Sequence, residues 1–362
     1  MNPQHQHELK TGLLRGLVWI ALALVLLLVL NLANSAVAAK PVDRSTMLFP
    51  YYEVSDVLSS VATHHYASDT AQLRVQLEQL SAATAHYCKI DTKAKSIDKQ
   101  QLQAQYAKAY LAWLELSAVV MGPMLDGNTV RQIDFRPLRL NLLERAIKKQ
   151  PQGAQAMALI GSPAKGFPAF EYLLTQDDFK AVTPQCNYAH EVVLDIARTV
   201  ADLKWDEAQA LGENMQLYFN QLIGATHTLA WERMEKPLLK NKDEAGVAHW
   251  PFMELQITQK AWAAQWQGIE HLLLVNSQTV PQANAQVVPL EAYLRGLGKI
   301  DLADTLVRHS SAVATAMRNN DIATPASVER SVKSLKVLKG FLESEVATGL
   351  KVSVQFSSSD GD

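Results

Sequence analysis

Apolar residues recur every three or four positions through almost all of the chain after about residue 68, a spacing that commits it to helices. Leu102, Tyr106, Ala109, Trp113, Leu116 and Val120 fall on one face of a helix expected to end near Gly122-Pro123. The pattern returns in Val192, Val193, Ile196, Val200 and Leu203, in Leu211, Met215, Phe219, Leu222 and Leu229, and in Trp262, Ile269, Leu272 and Leu273. Thr324-Pro325 has the form of an N-cap followed by proline at the first helical position, opening a helix through Val332, Leu335, Leu338 and Val346. Strand-like alternation is almost absent, and the connections are short and carry Gly, Pro or Asn. The expected fold class is therefore all-α, made of up-and-down helical bundles.

A weak internal repeat divides those helices. Leu111-Ala112-Trp113 recurs as Leu229-Ala230-Trp231, and Glu171-Tyr172-Leu173-Leu174 recurs in the same order as Glu270-His271-Leu272-Leu273. Each of the latter pair follows a glycine, Gly166 or Gly268. The repeat predicts two related bundles, residues 40–204 and 205–356, with a boundary near Leu203 to Gln209 and a polar C-terminal tail at 357–362. The first half carries an extra irregular insertion from Gly122 to Pro137, where Asp126-Gly127-Asn128 signals a turn.

Residues 1–39 read as an export signal. Lys10 and Arg15 precede the apolar run Gly16 to Leu32, and Asn34-Ser35-Ala36-Val37-Ala38-Ala39 supplies small residues for a signal peptidase. The competing reading keeps residues 16–32 as an uncleaved membrane anchor. Cysteine is missing from the cleavage zone, which excludes lipoprotein acylation there. An exported chain with an even cysteine count fits one disulfide between Cys88 and Cys186; the alternative is two separate buried thiols. Two cysteines do not by themselves build a zinc site.

Composition closes other options. Lys and Arg number 34 against 36 Asp and Glu, a net charge of −2, which argues against nucleic acid as a partner through a basic surface. A 48% hydrophobic fraction excludes disorder as the main state. The common catalytic signatures are missing: HExxH, Gly-x-Ser-x-Gly, the P-loop and Gly-x-Gly-x-x-Gly after a strand. His190-Glu191 begins like a zincin motif, but Leu194 stands where the second histidine would be, so a solvated pair at a helix start is the better account.

The segment Gly161 to Leu174 is more informative. Glycine and proline set a turn, Pro168 fits a first helical turn, and Glu171 is expected near that helix's N-terminus, where the dipole favours a carboxylate. Tyr110-Leu111-Ala112-Trp113 with Gly122-Pro123, Arg131-Gln132-Ile133-Asp134-Phe135-Arg136-Pro137, Gly166-Phe167-Pro168-Ala169-Phe170-Glu171-Tyr172-Leu173-Leu174 and the terminal Phe356 to Asp362 together resemble the imelysin family. The resemblance implies a bacterial envelope protein of two helical bundles. It also implies kinship with proteins first described as insulin-cleaving peptidases and often linked to iron-regulated uptake. Family members proposed to use a metal carry Gly-x-His-x-x-Glu. Gly166 and Glu171 match that motif, but Pro168 takes the place of the histidine, and proline offers no ligand atom. The set of metal ligands is therefore expected to be empty unless a distant group such as His271 or Asp134 joins Glu171.

The expected ligand cleft is lined by Glu171, Arg131, Asp134, Arg136, Trp113, Glu270 and His271. Each has a plainer reading: a surface ion-pair cluster for the arginines and Asp134, and a hydrogen-bonded boundary residue for His271. Trp250, Trp262 and Trp266 read as packing, with an aromatic ligand platform as the minority view. Asp360 and Asp362 read as a solvated tail. The expectation is an exported, imelysin-like, ligand-binding protein of the periplasm or cell envelope, associated with iron uptake and without catalytic residues. Its cofactor is not fixed by the sequence, iron or another divalent metal being the candidate, and its partner is an unidentified ligand or envelope protein. The rivals are a metal-dependent envelope peptidase and a non-enzymatic protein-interaction module.

Overall fold

The computed structural model describes residues 42–44, 46–89, 97–205, 214–240 and 250–354. The signal segment with its apolar run 16–32, Leu211, most of the expected boundary at Leu203 to Gln209, and the tail 357–362 lie outside the described residues. Among the described residues every regular element is helical. Contacts group the described residues from Met47 onward as one compact unit.

Helix α1 (Val54–Ser60) continues through a π-helical stretch (Val61–Tyr66) into α2 (Ala67–Tyr87), and α3 (Lys99–Leu116) follows. Asp98 opens α3 with a reciprocal cap: its side chain accepts from Gln101 N while the Gln101 side chain accepts from Asp98 N. The periodic residues Leu102, Tyr106, Ala109, Trp113 and Leu116 are fully buried. The helix ends before Val120, which is only partly buried. Gly122-Pro123 opens a new element instead, α4 (Gly122–Asp126), because proline at a first turn loses no helical hydrogen bond. The expected irregular insertion thus contains two short helices, α4 and α5 (Thr129–Ile133), joined at Asn128 with φ +50°.

Next come α6 (Leu140–Lys149), α7 (Gly153–Ala158), a 3-10 turn (Ser162–Ala164), α8 (Gly166–Thr175) and α9 (Pro184–Ala201). His190-Glu191 falls inside α9, and Glu191 is no free surface carboxylate, since its Oε2 accepts from the first amide of α7, Gly153 N. The later helices are α10 (Met215–Thr228) with its π-helical continuation (Leu229–Glu235), α11 (Lys236–Lys240), α12 (Thr258–Leu273), α13 (Leu290–Gly296), α14 (Ile300–Arg318), α15 (Pro325–Phe341) with a third π stretch (Leu342–Val346), and α16 (Ala347–Leu350). Thr324 sits at the N-cap position of α15, but its hydroxyl donates to Asp321 Oδ2 rather than accepting from the helix.

Packing follows the apolar faces. Helix α2 lies against α3 and α9, and α8 against α9 and α3; α15 lies against α10, its π continuation and α14, and α12 against α14 and that π stretch. The repeated Leu-Ala-Trp and Glu-x-Leu-Leu segments therefore sit on packed partners in both halves: α3 with α8, and the second π stretch with α12. Helix α12 also packs along α3, tying the halves together. Gly268 makes this approach feasible, because a Cβ there would collide with the Glu115 carbonyl oxygen and crowd Ala118.

Cys88, at the C-cap of α2, and Cys186, in the first turn of α9, form a disulfide with Cα atoms 5.5 Å apart and a sequence separation of 98. Closing a loop of that size stabilises by up to about 4 to 5 kcal/mol in the chain-entropy model, and removing a native bridge typically costs about 2 to 5 kcal/mol. The double variant C88A/C186A is expected to unfold at clearly lower denaturant concentration than the oxidised protein, and reductant should reproduce that shift only in the parent. An unchanged midpoint would show that the bridge adds no constraint the helices do not already impose.

Candidate functional site

The motif segment builds a small, mostly buried charge cluster. Gly166 begins α8 with φ +77°, and a Cβ there would overlap the Ile133 backbone, so the start of α8 and the end of α5 meet backbone to backbone. That contact fixes the neighbouring Asp134 beside α8. Pro168 lies in the first turn of α8 and Glu171 in its second, so a partner rather than the helix dipole decides the state of Glu171. The partner is Arg136, whose Nη2 donates to Glu171 Oε2 at 2.7 Å while its Nε donates to Asp134 Oδ1 at 3.1 Å. Arg136 Nη2 also donates to the Tyr110 hydroxyl at 3.1 Å, and that hydroxyl donates to Asp134 Oδ2 at 3.2 Å. Trp113 Nε1 completes the shell around Asp134 Oδ2 at 3.3 Å.

Aromatic rings close the cluster. The guanidinium of Arg136 lies over the Phe252 ring, 4.7 Å from its centroid, and Tyr106 and Phe167 pack behind Tyr110. The Asp134 side chain is 2% exposed, that of Glu171 16% and that of Arg136 29%, so both carboxylates are held mainly by this one cation. Burial pushes the Glu171 carboxyl up and Arg136 pulls it back. Burial works against the Arg136 charge as well, yet Tyr110, Asp134 and Glu171 hold its pKa well above the ordinary arginine value. Burial also raises the Tyr110 phenol, so it remains protonated and able to donate. Arg131 takes no part; it is exposed and stacks over Phe135 at 5.2 Å.

Glu270 and His271 belong to a different place, an open depression with two arms. One arm, of about 480 Å³, is lined by Trp266, Gln267, Glu270, His271, Met317 and Arg318 among others. The other, of about 230 Å³, is lined by His64, His65, Ser68, Asp69, His271 and the segment after α12. His271, Leu274, Val275 and Asn276 belong to both. His65 is 2% exposed, with its ring 6.3 Å from that of His271 and nearly perpendicular to it. Burial, helped by His271, lowers the His65 pKa to about 3, and burial lowers His271 too. Burial and then Glu115 raise Asp69 to about 7. Glu270 is raised by burial, with the Trp266 N–H and Arg318 opposing. Trp250 and Trp262 meet edge to face at 5.2 Å and serve packing, although Trp250 precedes α12.

The profile of the imelysin peptidase family matches residues 62–335. The chain belongs to the imelysin family. Its fold is similar to that of an imelysin-like protein from Psychrobacter arcticum, with a TM-score of 0.68 at 17% identity, covering 86% of this chain and 100% of the other. It is also similar to a protein from Parabacteroides distasonis assigned as an iron-regulated protein A precursor, with a TM-score of 0.64 at 11% identity, covering 83% and 96%. No curated protein shows significant sequence similarity to the chain. The metal that the family's peptidase motif implies does not fit this motif segment. Pro168 replaces a ligand, Arg136 occupies Glu171, and among the described residues no three His, Cys, Asp or Glu side chains are placed to hold an ion.

Sequence reasoning placed Trp113, Asp134, Arg136 and Glu171 in one site, and the structure brings these four together. It missed Tyr110, Phe252, His65 and Asp69. Tyr110 adjoins the apolar stripe and reads as core, while Phe252, His65 and Asp69 come from distant segments that carry no motif.

Two outcomes follow from these charges. Arg136→Met, which strands two buried carboxylates, is expected to cost about 3 to 5 kcal/mol in denaturant unfolding, and adding Asp134→Asn and Glu171→Gln should recover most of it. Equal losses in the single and triple variants would refute the charge-pairing account. Asp69 has a folded pKa above its unfolded one, so its contribution is most favourable below about pH 4 and is lost as the pH rises to about 7. Asp69→Asn should flatten that part of the stability profile and raise Tm at neutral pH; a lower Tm there would show that the ionised carboxylate is compensated.

Proposed function

We propose that this imelysin-family member is an exported, non-peptidase protein of the bacterial cell envelope that binds a small ligand in the depression around His271, in an iron-uptake setting. The observation that carries the reading is the 2.7 Å pairing of Glu171 with Arg136 next to Pro168. The carboxylate that a family metallopeptidase would offer to an ion is already engaged by a cation, and its histidine companion is missing. The motif segment then serves as a structural node, and ligand binding falls to the open depression, which is concave and lined by both apolar and polar groups. The two-bundle division, 40–204 and 205–356, is part of the proposal: His64, His65, Ser68 and Asp69 come from the first, and Glu270 and His271 from the second.

Export is supported by the signal-like residues 1–39 and by a disulfide, which persists in oxidising compartments outside the cytosol. The iron setting draws on the Parabacteroides distasonis relative, an iron-regulated protein A precursor by its description.

Metal analysis and a peptide-cleavage assay on protein from a periplasmic extract, beside a Glu171→Ala variant, test the reading. Both proteins are expected to carry less than stoichiometric metal and to leave peptides uncut. Stoichiometric metal in the parent that disappears from the variant would overturn the non-peptidase reading.

A further inference from the structure

The smaller arm of the His271 depression contains a half-buried acid, Asp69, one oxygen of which has no hydrogen bond. Asp69 Oδ2 is shielded from solvent and receives no hydrogen bond. His65 Nδ1 lies 3.3 Å from it, but outside hydrogen-bonding geometry, and the His65 ring stays neutral at physiological pH. A buried carboxylate oxygen with no donor is costly unless something supplies one. The surroundings do not. The charged and titratable groups facing Asp69 are His64, His65 and Tyr66 from the π stretch, Glu115 from α3, and His271 from α12, with no lysine or arginine among them. The remaining wall, Val275 to Pro289, contains no Asp, Glu, Lys, Arg or His at all.

That wall is held firmly in place. Glu291 Oε2 accepts from Val275 N at 3.0 Å, Ser60 Oγ accepts from Val288 N at 2.9 Å, and the Tyr52 hydroxyl donates to Pro281 O at 2.7 Å. The cavity is therefore preformed, which lowers the cost of binding. Past His271 the second arm offers apolar surface from Trp266, Leu274 and Met317 and then another desolvated carboxylate, Glu270; its one cation, Arg318, is an exposed residue. Acid, apolar stretch, acid is the complement of ammonium, methylenes, ammonium. An anion would meet uncompensated carboxylates, and a metal ion would lack three converging donors among the described residues.

We propose that the depression binds an aliphatic di- or polyamine, with one ammonium donating to Asp69 and the other directed to Glu270, its methylenes passing Leu274 and Trp266. The proposal rests on the ligand-binding reading above and names the ligand class. Binding exchanges a proton on Asp69 for an ammonium, so affinity rises with pH through the range near 7 in which Asp69 ionises.

The experiment is calorimetry and thermal melting of the full mature chain with putrescine and spermidine, using butylamine as the one-headed control and succinate and zinc as opposite-class controls. Putrescine and spermidine are expected to raise Tm, more at about pH 8 than at about pH 6, and to bind at least about tenfold more tightly than butylamine. Asp69→Asn and Glu270→Gln, each with unchanged circular dichroism, are expected to weaken diamine binding by about tenfold or more. Diamine binding that survives Asp69→Asn, or no diamine binding at all, overturns the proposal. If succinate or zinc raises Tm and His271→Ala removes that rise, the amine assignment falls while the ligand-binding reading stands. If no ligand of any charge shifts the melt, both fall.

Discussion

A missing side chain governs the contact on which the rest of this structure depends. Gly268 has no Cβ to collide with the Glu115 carbonyl or Ala118, so α12 can lie backbone-close along α3. That approach buries the apolar stripe of each helix against the other and brings Glu270 and His271 near residues from the beginning of the described chain. Gly166 applies the same device to a shorter connection, seating α8 on the end of α5 and bringing Asp134 beside Glu171. The two glycines upstream of the repeated Glu-x-Leu-Leu segments thus have a common physical basis. Each permits a close backbone approach, and each has a charged group next to the contact.

The two charged places that result are opposites. Around Arg136, two carboxylates, a phenol and an indole are all satisfied, and aromatic rings exclude water. Such a network adds little net stability over an apolar core, because desolvation offsets the attraction, but it specifies one arrangement of the chain. Around His271 the carboxylates are desolvated, Asp69 with no cation beside it and Glu270 with only the exposed Arg318, and burial keeps the His65 ring neutral. The family motif has therefore become the settled part of the molecule, and the unsatisfied electrostatics lie elsewhere. Replacing a single histidine by proline at position 168 is in keeping with that division, since proline fits the first turn of α8 and withdraws one polar group from the cluster.

The helical class was legible from residue spacing, because burial selects the same face that periodicity marks. Leu102, Trp113, Val192, Ile196, Phe219 and Leu272 are all in the core. Ends were less legible: Gly122-Pro123 stops one helix in the sequence pattern but starts another in space, and Thr324 occupies a cap position without making the cap bond. Four members of the Arg136 cluster were readable because they lie in motif-bearing segments. Phe252 was not, since it comes from the segment before α12 and meets Arg136 only through a long-range contact. Asp69 and His65 escaped notice for the same reason. Nothing local distinguishes them from other polar residues on an amphipathic helix; only the apposition of α12 and the segment after it makes them walls of a depression.

The disulfide has a topological consequence as well as an energetic one. The covalent ring from Cys88 to Cys186 encloses α3 through α8, and hence Tyr110, Trp113, Asp134, Arg136 and Glu171. A protease that cuts once inside this ring would open it without releasing either piece, and the two ends would remain pinned where α2 meets α9. The Arg136 node can thus be nicked and still hold its helices together.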